Sequence, residues 1–144
     1  MAARELATAL ITLDTSGVFA LLNRRDPGHQ RARDALASSK RPYLIPCATL
    51  AEIGYLLERR MPNALDPFLA DLESGAFTLH CEDEDVARIR HLVVRYADLP
   101  LGVGDAAVIA CSERSGRTVL TFDRRDFEVV AREGTIDVIP MNEG

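Results

Sequence analysis

Short apolar runs alternate with segments of helical periodicity along the chain of 144 residues. Each run is a few residues long and partly β-branched, which is typical of buried strands. Strands that alternate with helices form a parallel sheet covered on both faces. The sequence therefore predicts a three-layer α/β fold with a central, mainly parallel, five-stranded sheet. The predicted strands are residues 9–13, 43–45, 77–80, 118–122 and 136–139.

Capping residues, prolines and glycines set the expected limits of the helices. Asp26 is a plausible N-cap with Pro27 at the first helical position, and Gly116 is a helix terminator. The acidic run 82–85 stands where negative charge complements a helix N-terminus, and we interpret it as capping and solvation. The predicted helices are residues 16–23, 26–38, 49–60, 65–74, 86–96, 104–115 and 126–133.

Composition narrows the class of protein. With 47% apolar and 27% charged residues, we expect one domain over residues 1–144, without a membrane span. Three cysteines, an odd number with no CxxC pair, favour a reducing, cytoplasmic setting and argue against zinc. A net charge of −5 argues against a broad basic surface for nucleic acid, but not against local contacts.

Four acidic residues have unusually apolar neighbours. Asp14 and Asp123 each follow a predicted strand, whereas Glu52 and Asp105 fall in the first turn of predicted helices. In α/β folds, ligands bind beyond the carboxyl ends of the strands. We therefore expect the fold to bring these four carboxylates together.

A carboxylate in apolar surroundings costs several kcal/mol unless something compensates its charge. Converging carboxylates also raise one another's pKa, and a divalent cation reverses that penalty. Oxygen ligands without His or Cys select Mg²⁺ or Mn²⁺. The pattern predicts metal-assisted phosphodiester hydrolysis at these four residues.

A structural interpretation of each acid stays open. Asp14 and Asp105 would each serve as a helix cap, Glu52 as a first-turn acid and Asp123 as a turn former. Asp98, in an Asp-Leu-Pro loop, belongs either to the turn or to the site. Thr15, Ser16 and Thr121 flank the acids and are candidate supporting hydroxyls, with a helix-start role favoured for Ser16.

Four segments, in order along the chain, resemble PIN-domain proteins, specifically VapC-type toxins. They are LDTS at 13–16, TLAEI at 49–53, DLPLGVGDA at 98–106 and LTFDRRDF at 120–127. Each segment is short, but together they span almost the whole chain. Residues 1–8 extend beyond the usual beginning of such toxins, and we expect them to form a loose tail.

The resemblance implies a PIN fold and a Mg²⁺- or Mn²⁺-dependent endoribonuclease. It further implies a homodimer, a small VapB-type antitoxin that blocks the site, and a structured substrate such as tRNA or a ribosomal RNA loop. By matching position, Asp14 and Asp105 would be the principal metal ligands. Glu52 and Asp123 would complete the acidic pocket, with Thr121 supporting it.

Two other functions compete with the toxin ribonuclease. One is a catalytically silent PIN-like module that acts through protein partners. The other is a phosphatase or receiver domain, which also places an Asp after the first strand. The second alternative needs another nearby acid and a late Lys, whereas Asp14 is followed by Thr15 and Ser16 and the only lysine is Lys40.

Overall fold

A sheet of five parallel strands forms the centre of the protein in a computed structural model, which describes residues 10–37, 39, 42–81 and 83–141. The expected tail, residues 1–8, lies outside this range. The predicted α/β class with five strands is confirmed, and every strand pair is parallel. The strands are β1 (Ile11–Leu13), β2 (Tyr43–Pro46), β3 (Phe77–His80), β4 (Thr118–Leu120) and β5 (Asp137–Ile139).

The strand order is β3-β2-β1-β4-β5, with β1 in the middle. The chain builds the sheet outward from β1 through β2 to β3, then crosses back to add β4 and β5 on the other side. The carboxyl ends of β1 and β4 therefore flank the point where the direction of winding reverses. In open α/β sheets, ligands bind in the crevice at such a point.

Seven helices within the described residues cover the sheet. None of them is long and apolar enough to cross a membrane. They are α1 (Thr15–Leu22), α2 (His29–Leu36), α3 (Cys47–Arg60), α4 (Pro62–Ser74), α5 (Asp85–Arg95), α6 (Val103–Arg114) and α7 (Arg124–Ala131).

Two apolar clusters pack on opposite faces of the sheet. Adjacent side chains of β4 point to opposite faces of the sheet, so Leu120 belongs to one cluster and Val119 to the other. The first cluster joins the sheet to α1, α2, α3 and α4, with Phe68 at zero exposure. The second joins it to α5, α6 and α7 around Phe127. The fold thus has the three expected layers.

Two helices begin three residues away from their predicted starts, α2 later and α4 earlier. Asp26 does not cap α2. Its carboxylate accepts a hydrogen bond from the Gly28 amide at 2.7 Å within a turn, and α2 begins only at His29. In contrast, α4 begins at Pro62, three residues before the predicted start, because a proline at the first helical position lacks an amide that would need a partner.

The acidic run before α5 does more than solvate a helix start. Asp85 is 8% exposed, and its carboxylate accepts from the Arg114 guanidinium at 2.6 Å and 2.9 Å. Glu84 accepts from the same guanidinium at 3.1 Å. The interpretation as capping and solvation is therefore wrong for Asp85, which ties α5 to the end of α6. Residue 82 lies outside the described residues.

The expectation of three reduced cysteines is also wrong in this structure, which joins Cys47 and Cys81 by a disulfide. Pro46 of β2 pairs in register with His80 of β3, so the next residue on each strand stands opposite the other. The two Cα atoms are 5.4 Å apart, within the range of disulfide bonds. The bridge fixes the start of α3 to the end of β3.

Candidate functional site

Asp14 lies directly after β1 and is only 4% exposed. Its Oδ1 accepts hydrogen bonds from the Gly17 amide at 2.7 Å and from the Ser16 hydroxyl at 2.8 Å. The first of these bonds caps α1, so the helix-cap interpretation of Asp14 is correct as far as it goes. The cap also fixes the carboxylate at the carboxyl edge of the sheet.

Two hydroxyls connect Asp14 to the chain that leaves β4. Thr121 donates to Asp14 Oδ2 at 2.5 Å, and Thr121 is fully buried. Ser16 Oγ accepts from the amides of Phe122 at 2.8 Å and Asp123 at 3.2 Å. Ser16 thus joins Asp14 to the β4 exit, which goes beyond the helix-start role expected for it.

Glu52 reaches the same region from α3. The helix begins at Cys47 rather than Thr49, so Glu52 is in the second turn and not in the predicted first turn. A Cβ placed on Gly104 would lie 3.7 Å from Glu52 Oε2. The glycine leaves room for the exposed Glu52 carboxylate beside the start of α6.

Asp105 and Asp123 come from the C-terminal half of the chain. Asp105 is half-buried in the first turn of α6, where a negative charge interacts favourably with the helix dipole, and Gly102 rather than Asp105 is the N-cap. Asp123 is exposed and immediately precedes α7, and its carboxylate accepts no hydrogen bond from the amides of that helix. Capping therefore accounts for neither carboxylate.

The four acids line one cavity of about 420 Å³. Thr15 also lines it, whereas Asp98 does not. Asp98 is exposed in the turn between α5 and α6, where the amides of Leu99 and Leu101 both bond to the Tyr96 carbonyl. The structure therefore brings Asp14, Glu52, Asp105 and Asp123 to one cavity and leaves Asp98 in its turn.

Two of these carboxylates are costly to ionise. Burial raises the pKa of Asp14 to about 6, although hydrogen bonds from Thr121, Gly17 and Ser16 oppose the rise. The pKa of Asp105 is also raised to about 6, first by burial and then by repulsion from neighbouring acids. Both groups would ionise more readily beside a cation.

Sequence reasoning missed two acids close to the site, Asp126 and Asp26. Asp126, in the first turn of α7, is among the residues whose charge raises the pKa of Asp105, together with Asp14, Asp123 and Glu52. The signal was available, because Asp123 and Asp126 are three residues apart around the start of a predicted helix. Asp26 lines the cavity itself, together with three further polar residues, Ser16, Asn23 and Arg60.

The donor set fits a hard divalent cation. Within the described part of the chain, no three acidic, histidine or cysteine side chains stand close enough to form a ready-made metal cluster. Mg²⁺ commonly binds through one or two carboxylates and keeps several waters, and a cavity lined by carboxylates suits that arrangement. The repulsion among the acids, which raises the pKa of Asp105, is the penalty that a cation would relieve.

Comparison with known proteins assigns the family. The family model described as the PIN domain matches residues 11–133. Ribonuclease VapC26 of Mycobacterium tuberculosis is 30% identical over 133 residues, which cover 89% of this chain and 98% of that protein. The crystal structure of M. tuberculosis VapC20, described as a sarcin-ricin loop cleaving toxin, superposes with a TM-score of 0.69 at 23% identity, over 83% of this chain and 94% of that one. The chain therefore belongs to the PIN-domain family and, within it, to the VapC type.

Proposed function

We propose that this protein is a metal-dependent endoribonuclease, the toxin of a toxin–antitoxin pair, that hydrolyses phosphodiester bonds in structured RNA. The observation that carries the proposal is the common cavity of Asp14, Glu52, Asp105 and Asp123. Similarity to a protein named as a ribonuclease supports the class of reaction. Membership of the PIN family makes a receiver or phosphatase domain the weaker explanation.

In this proposal Asp14 and Asp105 are the principal ligands of Mg²⁺ or Mn²⁺, and Glu52 and Asp123 complete the site. The bound ion would supply the positive charge that activates the attacking water and stabilises the phosphodiester transition state. Three hydrogen bonds, from Gly17, Ser16 and Thr121, hold the Asp14 carboxylate in one orientation. Such fixed orientation is what effective metal ligands require.

The proposed biological role has three further parts. The substrate is a tRNA or ribosomal RNA, and its cleavage stops translation and growth. A small VapB-type antitoxin blocks the cavity until it is removed. The protein acts in the cytoplasm, and it acts as a homodimer. Sedimentation of the purified protein would test the homodimer directly.

Single substitutions at the acids test the nuclease proposal. We expect Asp14→Asn and Asp105→Asn to lower the rate of RNA cleavage in Mg²⁺ or Mn²⁺ at least about a hundredfold, because each removes a metal ligand. The measurement is cleavage of end-labelled tRNA and ribosomal RNA by purified protein, with EDTA as the metal-free reference. Asp98→Asn is the matched control, since Asp98 is an exposed acid outside the cavity.

Wild-type cleavage rates in both acid variants would refute the assignment of the site. If the partner-free wild-type protein cleaved none of these RNAs with either metal, the silent interaction module would replace the nuclease as the better explanation. Sequencing RNA 5′ ends after brief induction would identify the cleaved RNA. If a small protein is encoded beside this chain, rescue of growth by its co-expression would test the proposed antitoxin.

A further inference from the structure

A second cavity opens directly beside the acidic one. It has a volume of about 620 Å³ and is lined by Arg25 and Asn63, among other residues. Three residues, Asn23, Arg60 and Met61, line both cavities. The two cavities therefore adjoin at these residues, and we call the pair the groove. The carboxylates line its first part, Arg25 lines its second part, and Arg60 lines both.

The guanidinium groups of Arg25 and Arg60 lack acidic partners among the described residues. Every ion pair there belongs to one of four other arginines: Arg88, Arg95, Arg114 and Arg124. Arg60 forms no ion pair with any described residue, even though it lines the same cavity as Glu52 and Asp26. Two guanidiniums that have no acidic partner in the described part of the chain are available to bind an anion from solution.

The segments that carry the two arginines are held in place. The Asn23 side chain accepts from the Arg25 amide at 3.0 Å, and a Cβ on Gly28 would lie 2.8 Å from the Phe122 ring, so the loop packs closely on the β4 exit. Arg60 is the last residue of α3, and the following Met61 amide bonds to Leu57 at 2.8 Å. Both arginines therefore start from fixed backbone positions beside the acidic cavity.

From this geometry we infer that Arg25 and Arg60 form a phosphate-binding subsite for the RNA strand that enters the acidic cavity, an inference that rests on the proposed nuclease function. A guanidinium binds a phosphate through two parallel hydrogen bonds. A strand with its scissile phosphate among the carboxylates continues out of the cavity, and this groove leads it past both arginines. With a net charge of −5, the chain relies on such local contacts to hold RNA.

A binding assay tests the subsite by measuring RNA binding separately from cleavage. All variants carry Asp105→Asn, so that the RNA stays intact, and the probe is a fluorescein-labelled RNA stem-loop in Mg²⁺. We expect Arg60→Gln and Arg25→Gln each to weaken binding about tenfold, and to lower the slope of log affinity against log salt by about 0.7, as for one lost phosphate contact to a single strand. Arg60→Lys should restore the slope against salt, because it keeps the charge, but only part of the affinity, because an ammonium cannot form the two parallel hydrogen bonds.

Arg59→Gln and Arg24→Gln are matched controls that remove the same charge from neighbouring positions. Arg59 lies over the Tyr55 ring at 5.4 Å, and neither control residue lines the groove. Equal losses in the controls and the groove variants would overturn the subsite, since the effect would then be one of net charge. Unchanged RNA affinity with weakened binding of a labelled poly-glutamate peptide would overturn it in favour of an acidic protein partner.

The cleavage assay of the otherwise wild-type chain distinguishes this subsite from the nuclease proposal. If arginine-dependent binding is found but the wild-type chain cuts no RNA, the subsite stands and the nuclease fails. If the wild-type chain cuts RNA but the groove variants bind it normally, the nuclease stands and the subsite fails. In an active enzyme the groove variants should raise KM more than they lower kcat, because they affect substrate binding away from the reacting bond.

Discussion

Asp14 is both the N-cap of α1 and the most buried acid of the candidate site. The hydrogen bonds to its two oxygens stabilise the charged form, yet burial outweighs them and leaves its pKa at about 6. The folded protein without metal therefore holds a proton on Asp14 more tightly than the unfolded chain does, because in the unfolded chain this carboxyl has its ordinary pKa of 3.8. The stability linked to this group is fully present below about pH 4 and is lost as the pH rises through about 6.

Asp14→Asn should therefore stabilise the metal-free protein at neutral pH. The amide keeps an acceptor for Gly17 and Ser16 and has no charge to desolvate, so we expect a gain of about 1 to 3 kcal/mol in the free energy of unfolding at pH 7.5. The gain should fade towards pH 4, where Asp14 is protonated. Denaturant unfolding in EDTA between pH 4 and pH 8 measures it, with Asp98→Asn as the exposed control. A gain that is the same at every pH would contradict this account.

At the scale of single residues, the sequence predicted the four acids that meet in the cavity, but neither Asp126 nor the hydrogen-bonded set around Asp14. Asp14, Glu52, Asp105 and Asp123 stood out because carboxylates beside apolar runs are unusual. Ser16 did not, because a serine after a strand is an ordinary helix-start residue, and its bond to the Phe122 amide spans 106 positions of the chain. Contacts of that kind depend on the packed fold and leave no local pattern.

Among the elements, α1 approaches β4 closely at the site. A Cβ on Gly17 would lie 2.5 Å from the Leu120 carbonyl oxygen and 3.3 Å from Asp14 Oδ1. Only a glycine allows α1 to approach the strand so closely. The position of α1 relative to β4 therefore depends on this residue.

Gly17→Ala should push α1 away from β4 and disturb the Asp14 carboxylate. We expect a loss of about 1 to 3 kcal/mol in stability, as for an overpacked core, together with a fall in RNA cleavage. Gly54→Ala is the matched control, because a Cβ there meets nothing within 4 Å and should add about 0.5 to 1 kcal/mol to the stability of α3. Thermal unfolding of both variants measures the difference in their stability. Similar melting temperatures would contradict the requirement for glycine at position 17.

The element types were predictable from apolar periodicity, but several ends were not. Residues 77–80 form β3 as predicted, since a short alternating run followed Gly75. The apolar run predicts that β4 ends at Phe122, whereas the strand ends at Leu120. The chain leaves the strand there, and the Phe122 amide donates to Ser16. Local sequence shows which residues are apolar, but the end of a strand depends on where its pairing with the neighbouring strands ends.

For the molecule as a whole, the disulfide links two segments that are distant in sequence. Cys47 and Cys81 are 34 positions apart, and only the parallel register of β2 and β3 brings them together. The odd cysteine count and the absence of a CxxC pair favour free thiols. The sequence does not predict the bridge, because the pairing depends on the register of two strands, which sequence does not reveal. The third cysteine, Cys111, is buried in α6 and contacts Thr12.

Cys47→Ser should destabilise the protein only under oxidising conditions. A cross-link that closes a loop of this length stabilises by about 3 to 4 kcal/mol through the unfolded chain, and a reductant removes the difference between wild type and variant. Denaturant unfolding with and without dithiothreitol measures it. Thiol titration in denaturant should find one reactive thiol before reduction and three after. Three thiols in protein purified without reductant would show that the bridge does not form.

The strand order has a consequence for the way the protein is made. Asp14 and Glu52 come from the part of the chain that builds one side of the sheet, whereas Asp105 and Asp123 arrive with the return crossing to the other side. A nascent chain whose β4 is still inside the ribosomal tunnel holds at most three of the four acids, and its Asp14 lacks Thr121. Synthesis therefore keeps the cavity incomplete until the segment from β4 to Asp123 has left the tunnel.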